Sequence, residues 1–224
     1  MNSVMEKVCE VCNTVRSDSK LGITFPELLV KLRRQFKKSY IDLKIRSAKS
    51  KKLNPEEFYV DAFYDAEDDK NFETSIEVVV HNNFDKTFVW DKKQVTEFLI
   101  QVYDAVVHEH KHQRQSRRRN HKESVTHVDP ADDYKEYLRD PDELDAYAFS
   151  IAIDLCRSLG KYRALRYLHK FSTMGKIKFH EKFISPNLSA YIGQFQETDP
   201  DLLKLLAKKV YVRLQKVDTD FVFV

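Results

Sequence analysis

A chain of 224 residues that is 42% hydrophobic and 12% aromatic can bury a real core, which excludes general disorder. Its 38 basic and 35 acidic side chains leave a formal charge of +3, so there is no global nucleic-acid footprint. Three cysteines build no disulfide framework, no apolar run reaches membrane-spanning length, and Met1 to Lys7 lacks the apolar stretch of a signal peptide. A cytoplasmic protein without membrane association is expected.

In chain order, Val4, Val8, Val11 and Val15 recur at helical spacing and predict a helix over residues 3–17. Cys9 and Cys12 form a CxxC on that helix. No second cysteine or histidine pair is near them in sequence, so buried thiols are expected rather than a metal or redox site. A turn through Ser19 to Gly22 leads to Thr24-Phe25-Pro26-Glu27, which has capping-box form and opens a helix carrying Leu28, Leu29, Leu32 and Phe36. Ile41, Leu43 and Ile45 alternate with polar residues as in a strand. The basic run Lys44 to Lys52 reads as a solvated face. Asn54-Pro55 breaks the chain before a second strand, Phe58 to Asp65. The acidic segment Glu67 to Asn71 predicts a turn or hairpin loop. Ile76, Val78 and Val80 mark a third strand ending at His81-Asn82-Asn83.

A long helix is predicted next, over residues 91–117. Asp91 is its N-cap, and neither proline nor glycine occurs from Asp91 through Arg119. Val95, Phe98, Leu99, Val102 and Val106 form its apolar face. Near its end stands His108-Glu109-His110-Lys111-His112, the pattern HExxH. Histidines four apart lie one turn apart and roughly 40° around the axis, so both imidazoles can reach one ion. Zinc held by neutral nitrogens lowers the pKa of its bound water to about 7, and the adjacent glutamate can take that proton. With this histidine content a chance match has odds of about one in fifty, so the helical context decides the reading in favour of a metal site.

A catalytic zinc usually keeps three protein ligands. Glu143, Asp145, His121, His127 and several loop aspartates are available. Gln115 and Arg118 stand where the pattern HExxHxxGxxH would need glycine and histidine, which argues against that variant. His127 follows His112 at a spacing used by another metalloprotease group, but its neighbours are Thr126 and Val128 rather than the glycines of that group. Glu143 has a competing explanation. Asp140 as N-cap, Pro141 at the first helical position and Glu143 three residues after the cap make a capping box by themselves.

The HExxH helix followed by Tyr137-Leu138-Arg139-Asp140-Pro141-Asp142-Glu143-Leu144-Asp145-Ala146-Tyr147-Ala148 resembles the small zincin-type metallopeptidases of the gluzincin group, known from phage and bacterial genomes. The resemblance spans about residues 74–155. It implies an α+β, zincin-like fold in which a small antiparallel or mixed sheet backs the HExxH helix and a mainly helical C-terminal part follows. It also implies one Zn2+ bound by His108, His112 and Glu143, with Glu109 as the catalytic base, and a peptide or protein substrate. A phage-encoded member would work in the host cytoplasm or the virion. Many members carry an acidic residue four positions after the glutamate. Tyr147 occupies that place here, so Asp145 or Asp154 is expected to orient the ligands, and Tyr147, Tyr134 or His127 to assist the oxyanion. Glu73 to His81 is the expected edge strand, to which an extended peptide would add.

Two alternatives from other classes stand beside this reading. One is a non-catalytic phage structural or interaction protein with a zincin-derived fold. The other is a nucleic-acid-binding module using the basic segment 114–122, where even a solvated Arg114, Arg117, Arg118, Arg119 and Lys122 would give weak affinity for polyanions. Residues 116–133 read as a loop. Helices follow over about 142–159, closed by Gly160, then 161–171, 186–196 and 199–215, with a break near Gly175 and an apolar tail, Val217 to Val224, that forms a strand or docks in a groove. The expected organisation is helices and sheet over 1–90, metal-binding helices over 91–160 and a helical part over 161–224, all in one metallopeptidase domain.

Overall fold

The computed structural model describes residues 4–19, 22–122, 124, 126, 128–174 and 184–217. The predicted break near Gly175, the tail beyond Val217 and His127 lie outside these residues. Contacts divide the chain into two units, with the division after Lys122. Both helices and sheets are present, as an α+β class requires.

The first unit begins with α1 (Val4–Ser17), whose buried side Val8, Cys9, Val11, Cys12 and Val15 packs on two later helices of the unit. One is α2 (Phe25–Lys38). At its start the Thr24 N–H and hydroxyl both donate to Glu27 Oε2, at 3.1 and 2.7 Å, the reciprocal contact expected from the sequence. A two-residue ladder pairs β1 (Ile23–Thr24) with β5 (Val89–Trp90), antiparallel. Gly22 makes that approach possible. It sits at φ +89, and a Cβ there would stand 2.8 Å from Val89 Cγ1.

A three-stranded sheet has the order β2-β4-β3, from β2 (Lys44–Lys49), β3 (Phe58–Tyr64) and β4 (Ile76–Asn82). β4 pairs in parallel with β2 and antiparallel with β3, so the sheet is mixed. This corrects two expectations. The stretch proposed as an edge strand is the centre of the sheet, and Ile76, Val78, Val79 and Val80 are all buried, as a strand flanked on both sides permits. The first strand starts at Lys44 rather than Ile41, because its pairing begins with Lys44 opposite Glu77. A third correction concerns the acidic segment. It forms a short helix, α3 (Ala66–Lys70), because the Asp65 carboxylate accepts from the N–H groups of Glu67 and Asp68.

The 27-residue α4 (Lys92–Arg118) follows, capped by Asp91 as predicted, with Asp91 Oδ1 accepting from the Gln94 N–H at 2.8 Å. Its buried Val95, Phe98, Leu99, Val102, Tyr103, Val106 and Val107 face α1 and the sheet. Around Phe98 the rings of Phe25, Phe58 and Trp90 stand 5.5 to 5.7 Å away, centroid to centroid, in edge-on geometry. Aromatic pairs of this kind contribute about 0.5–1.5 kcal/mol each beyond the area they bury.

Among the described residues of the second unit, the regular elements are all helices. α5 (Tyr134–Arg139) falls beyond the predicted loop and is capped by Asp133, a turn of helix the periodicity did not announce. α6 (Pro141–Leu159) is its centre, buried from Ile151 to Cys156 without interruption and packed by α5, α7 (Lys161–Met174), α8 (Pro186–Phe195) and α9 (Pro200–Lys216). Gly160 at φ +74 ends α6 as expected. The Tyr191 hydroxyl donates to the Leu138 carbonyl at 2.9 Å and ties α8 to α5.

Candidate metal centre

In the first unit, α4 supplies three of the four predicted site residues. His108, Glu109 and His112 are all half-buried. The two imidazoles converge, with Nε2 of one 3.0 Å from Nε2 of the other and the rings edge-on at 65°. One turn of helix therefore brings two metal-competent nitrogens to one point.

The opposite side of α4 is anchored. At about 100° per residue, His110, Gln113 and Arg117 lie within roughly 60° of one another and face away from His108 and His112. All three join a network around Asp69, whose side chain is only 3% exposed. Arg117 donates to both Asp69 oxygens, at 2.9 and 2.6 Å. Gln113 donates to Asp69 Oδ1 at 3.0 Å and to Ser75 Oγ at 3.1 Å, and the Tyr64 hydroxyl donates to Oδ2 at 3.1 Å. Burial pushes the Asp69 carboxyl up, but the hydrogen bonds from Arg117, Tyr64 and Gln113 outweigh it and hold the group below the usual carboxylate range. His110 bonds to Gln113 at 3.0 Å, and burial lowers its pKa, which favours the neutral ring. This network fixes the rotation of the helix and hence the direction of the histidine pair. It also gives Arg117 a structural task, which removes it from the basic surface expected over 114–122.

In the second unit, α6 carries Glu143, which is buried at 8% exposure. The capping explanation for Glu143 does not hold. The Asp140 carboxylate accepts from the Asp142 N–H at 2.7 Å and from the hydroxyls of Ser124 and Thr126, each at 2.7 Å. The Asp140 N–H, which a capping-box glutamate would satisfy, donates instead to the Tyr137 carbonyl at 3.1 Å. Glu143 meets the Tyr137 hydroxyl. Burial, with the neighbouring Tyr147 and the charge of Glu143, pushes that hydroxyl far up, so Tyr137 stays protonated and donates. Outer partners of this kind fix a ligand's orientation.

The acidic residues expected in that role have other partners. Asp145 accepts from Arg213 at 2.6 Å and lies 3.6 Å from Lys209. Asp154 accepts from the Ser185 hydroxyl at 2.7 Å and from Asn187 at 3.3 Å. Of the suggested oxyanion donors, Tyr147 is half-buried against the rings of Tyr137 and Tyr191, while Tyr134 is 41% exposed. The sequence offered a signal for Tyr137, since it lies six residues before Glu143 at the end of a short capped helix, but nothing in the spacing said its hydroxyl would turn that way.

His108, His112 and Glu143 are residues of ligating type that together could hold a metal ion. No described helix is long and apolar enough to cross a membrane. Compared with known proteins, the chain matches no family model, no curated protein and no solved structure.

Proposed function

We propose that the protein is a zinc-dependent metallopeptidase of zincin-like fold, with His108, His112 and Glu143 as the ligands and Glu109 as the general base. The observation that carries this reading is the convergence of two imidazole nitrogens at 3.0 Å beside a glutamate on the same helical turn. Nitrogens about 2.0–2.1 Å from a tetrahedral zinc stand roughly 3.3 Å apart, so the pair accommodates the ion with a shift of a few tenths of an ångström. Two neutral nitrogens and one carboxylate oxygen are also a donor set suited to zinc.

Bound there, zinc supplies Lewis acidity toward a peptide carbonyl and acidifies a water. The chain's own groups do the rest. Glu109 takes a proton from the attacking water and returns it to the leaving amine. Tyr137 holds the Glu143 carboxylate by a hydrogen bond. The Asp69 network on the far face of α4 keeps His108 and His112 aimed together.

Metal analysis of the purified protein beside Glu143→Ala and His112→Ala, with cleavage of a peptide library by the parent and Glu109→Gln, tests the proposal. One zinc per chain is expected, weakened or lost in the first two variants. Glu109→Gln should retain zinc and cleave roughly 100-fold or more slowly. Equal cleavage by Glu109→Gln refutes the mechanism, and stoichiometric zinc without any cleavage by the parent leaves a metal-binding protein that does not cut.

A further inference from the structure

Ten of the chain's basic residues and one acidic residue, Asp42, lie between Lys31 and Lys52. That stretch is therefore +9, while the remaining 202 residues sum to −6. The charge is not spread along a line. Arg33 and Arg34 stand one turn before Lys37 and Lys38 on α2, and the Arg33 Nε donates to the Ile45 carbonyl at 3.1 Å, which sets α2 beside the edge strand β2. Lys44 and Arg46 on β2 share one carboxylate, that of Glu77. Arg34, Lys37, Lys38, Lys49, Lys51 and Lys52 are exposed and form no ion pair among the described residues. Like charges four apart on a helix work against its stability. Two such pairs, Arg33 with Lys37 and Arg34 with Lys38, are a pattern that folding alone does not favour.

Between α2 and β2 stands Tyr40, 92% exposed and at φ 53, and across the same cleft stands Phe72, 97% exposed and at φ 60. Both are aromatic residues held in the left-handed region with their rings in water. The cleft they line is about 330 Å³ and also presents Asp42, Glu73, His110 and Gln113. The Thr74 hydroxyl donates to Asp42 at 2.7 Å and joins the two loops that carry the rings.

We infer that this face of the first unit binds single-stranded nucleic acid. Phosphates lie along the α2 and β2 cations, and unpaired bases stack on Tyr40 and Phe72, the combination by which sequence-tolerant single-strand binders work. The carboxylates of Asp42 and Glu73 accept from exocyclic amines of the bases, whereas the same two charges would repel an anionic bilayer pressed against the rings. The cleft between the two exposed rings also suits a base drawn out of a strand better than the closed stack of a duplex. The cleft lies on the face of α4 that turns away from His108 and His112, shares with it the anchoring residues Asp69, His110, Gln113 and Arg117, and holds none of the proposed metal ligands.

Fluorescence anisotropy with a labelled oligodeoxycytidylate of roughly 20 nucleotides, whose bases carry the exocyclic amine, tests this, beside a duplex of the same length and phosphatidylserine vesicles. Binding at about 50 mM salt is expected. With about five phosphates neutralised, affinity should fall roughly 100-fold by about 200 mM. The triple change Arg34→Glu, Lys37→Glu, Lys38→Glu should abolish binding with the Trp90 emission unchanged. Tyr40→Asn and Phe72→Asn keep a residue that tolerates positive φ, and each should weaken binding roughly 5- to 150-fold at an unaltered salt slope. Glu109→Gln should bind as the parent does. The inference is overturned by no binding at low salt, by tighter binding to duplex or vesicles than to the single strand, or by loss of binding only when Arg114, Arg118 and Lys122 are reversed.

Discussion

Replacement of Asp69 puts the anchoring of α4 to a direct test. The carboxylate accepts from Arg117 twice, from Tyr64, from Gln113 and from Ser75, the last at 3.4 Å. Bonds to a charged group are worth about 1.5–3 kcal/mol each taken singly, but they do not add. The Arg117 side chain is 55% exposed, so water re-solvates it once its partner is gone and most of its share is recovered. What remains is chiefly the loss at Tyr64, Gln113 and Ser75, and we expect Asp69→Ala to cost about 3 kcal/mol. Asp69→Asn keeps the shape and should cost about half as much.

The chain's one tryptophan, Trp90, is fully buried in the same unit, so urea unfolding followed by its emission reads the right structure. The pH dependence has a definite sign. Because the folded carboxyl is held below its unfolded value, its stabilisation is complete above the unfolded value of about 3.9 and is lost as pH falls through the lower, folded one. The parent should therefore lose more stability than Asp69→Asn on acidification below about pH 4. If Asp69→Ala at neutral pH lies within about 0.5 kcal/mol of the parent, the network is ornamental and something else orients the helix.

Other expectations follow from the same contacts. Tyr137→Phe removes the hydroxyl that meets Glu143 and should weaken zinc binding by roughly 10- to 100-fold while the second unit stays folded, as zinc titration and circular dichroism would report. Unchanged affinity would mean that Glu143 is positioned by other groups. Cys9 and Cys12 are buried to 3% and 0% exposure, and burial pushes both thiols up, so neither should react with a disulfide reagent at neutral pH until the first unit is unfolded. Rapid labelling of Cys12 in the native protein would contradict that packing.

Elements whose ends carry their own chemistry were legible from the sequence. Asp91 starts α4, Asp140 and Pro141 start α6, and Gly160 ends it, because each acts on backbone groups one to four residues away. The strands themselves were also legible, but their order was not. Alternation at Ile76, Val78 and Val80 says that one face is buried. It cannot say that β2 and β3 both pair with β4, which sets Val79, itself buried, between Arg46 and Asp61. The acidic segment is illegible for a different reason. Its charges suggest a solvated turn, whereas Asp65 caps a helix that carries Asp69 inward to Arg117, 48 residues away.

Glu143 shows where local reading ends and packing begins. Asp-Pro-Asp-Glu is a sufficient recipe for a capped helix, and the cap does form, with Asp140 taking its part. A capping box needs the glutamate to return to the cap's own N–H. That N–H is already bonded to the Tyr137 carbonyl, and the Asp140 carboxylate is held by Ser124 and Thr126. With both demands of the cap met by other groups, the Glu143 carboxylate is released from the helix end. It costs free energy to bury a carboxylate without strong partners. The Tyr137 hydroxyl is one such partner, and the cation of the proposed metal site would be another.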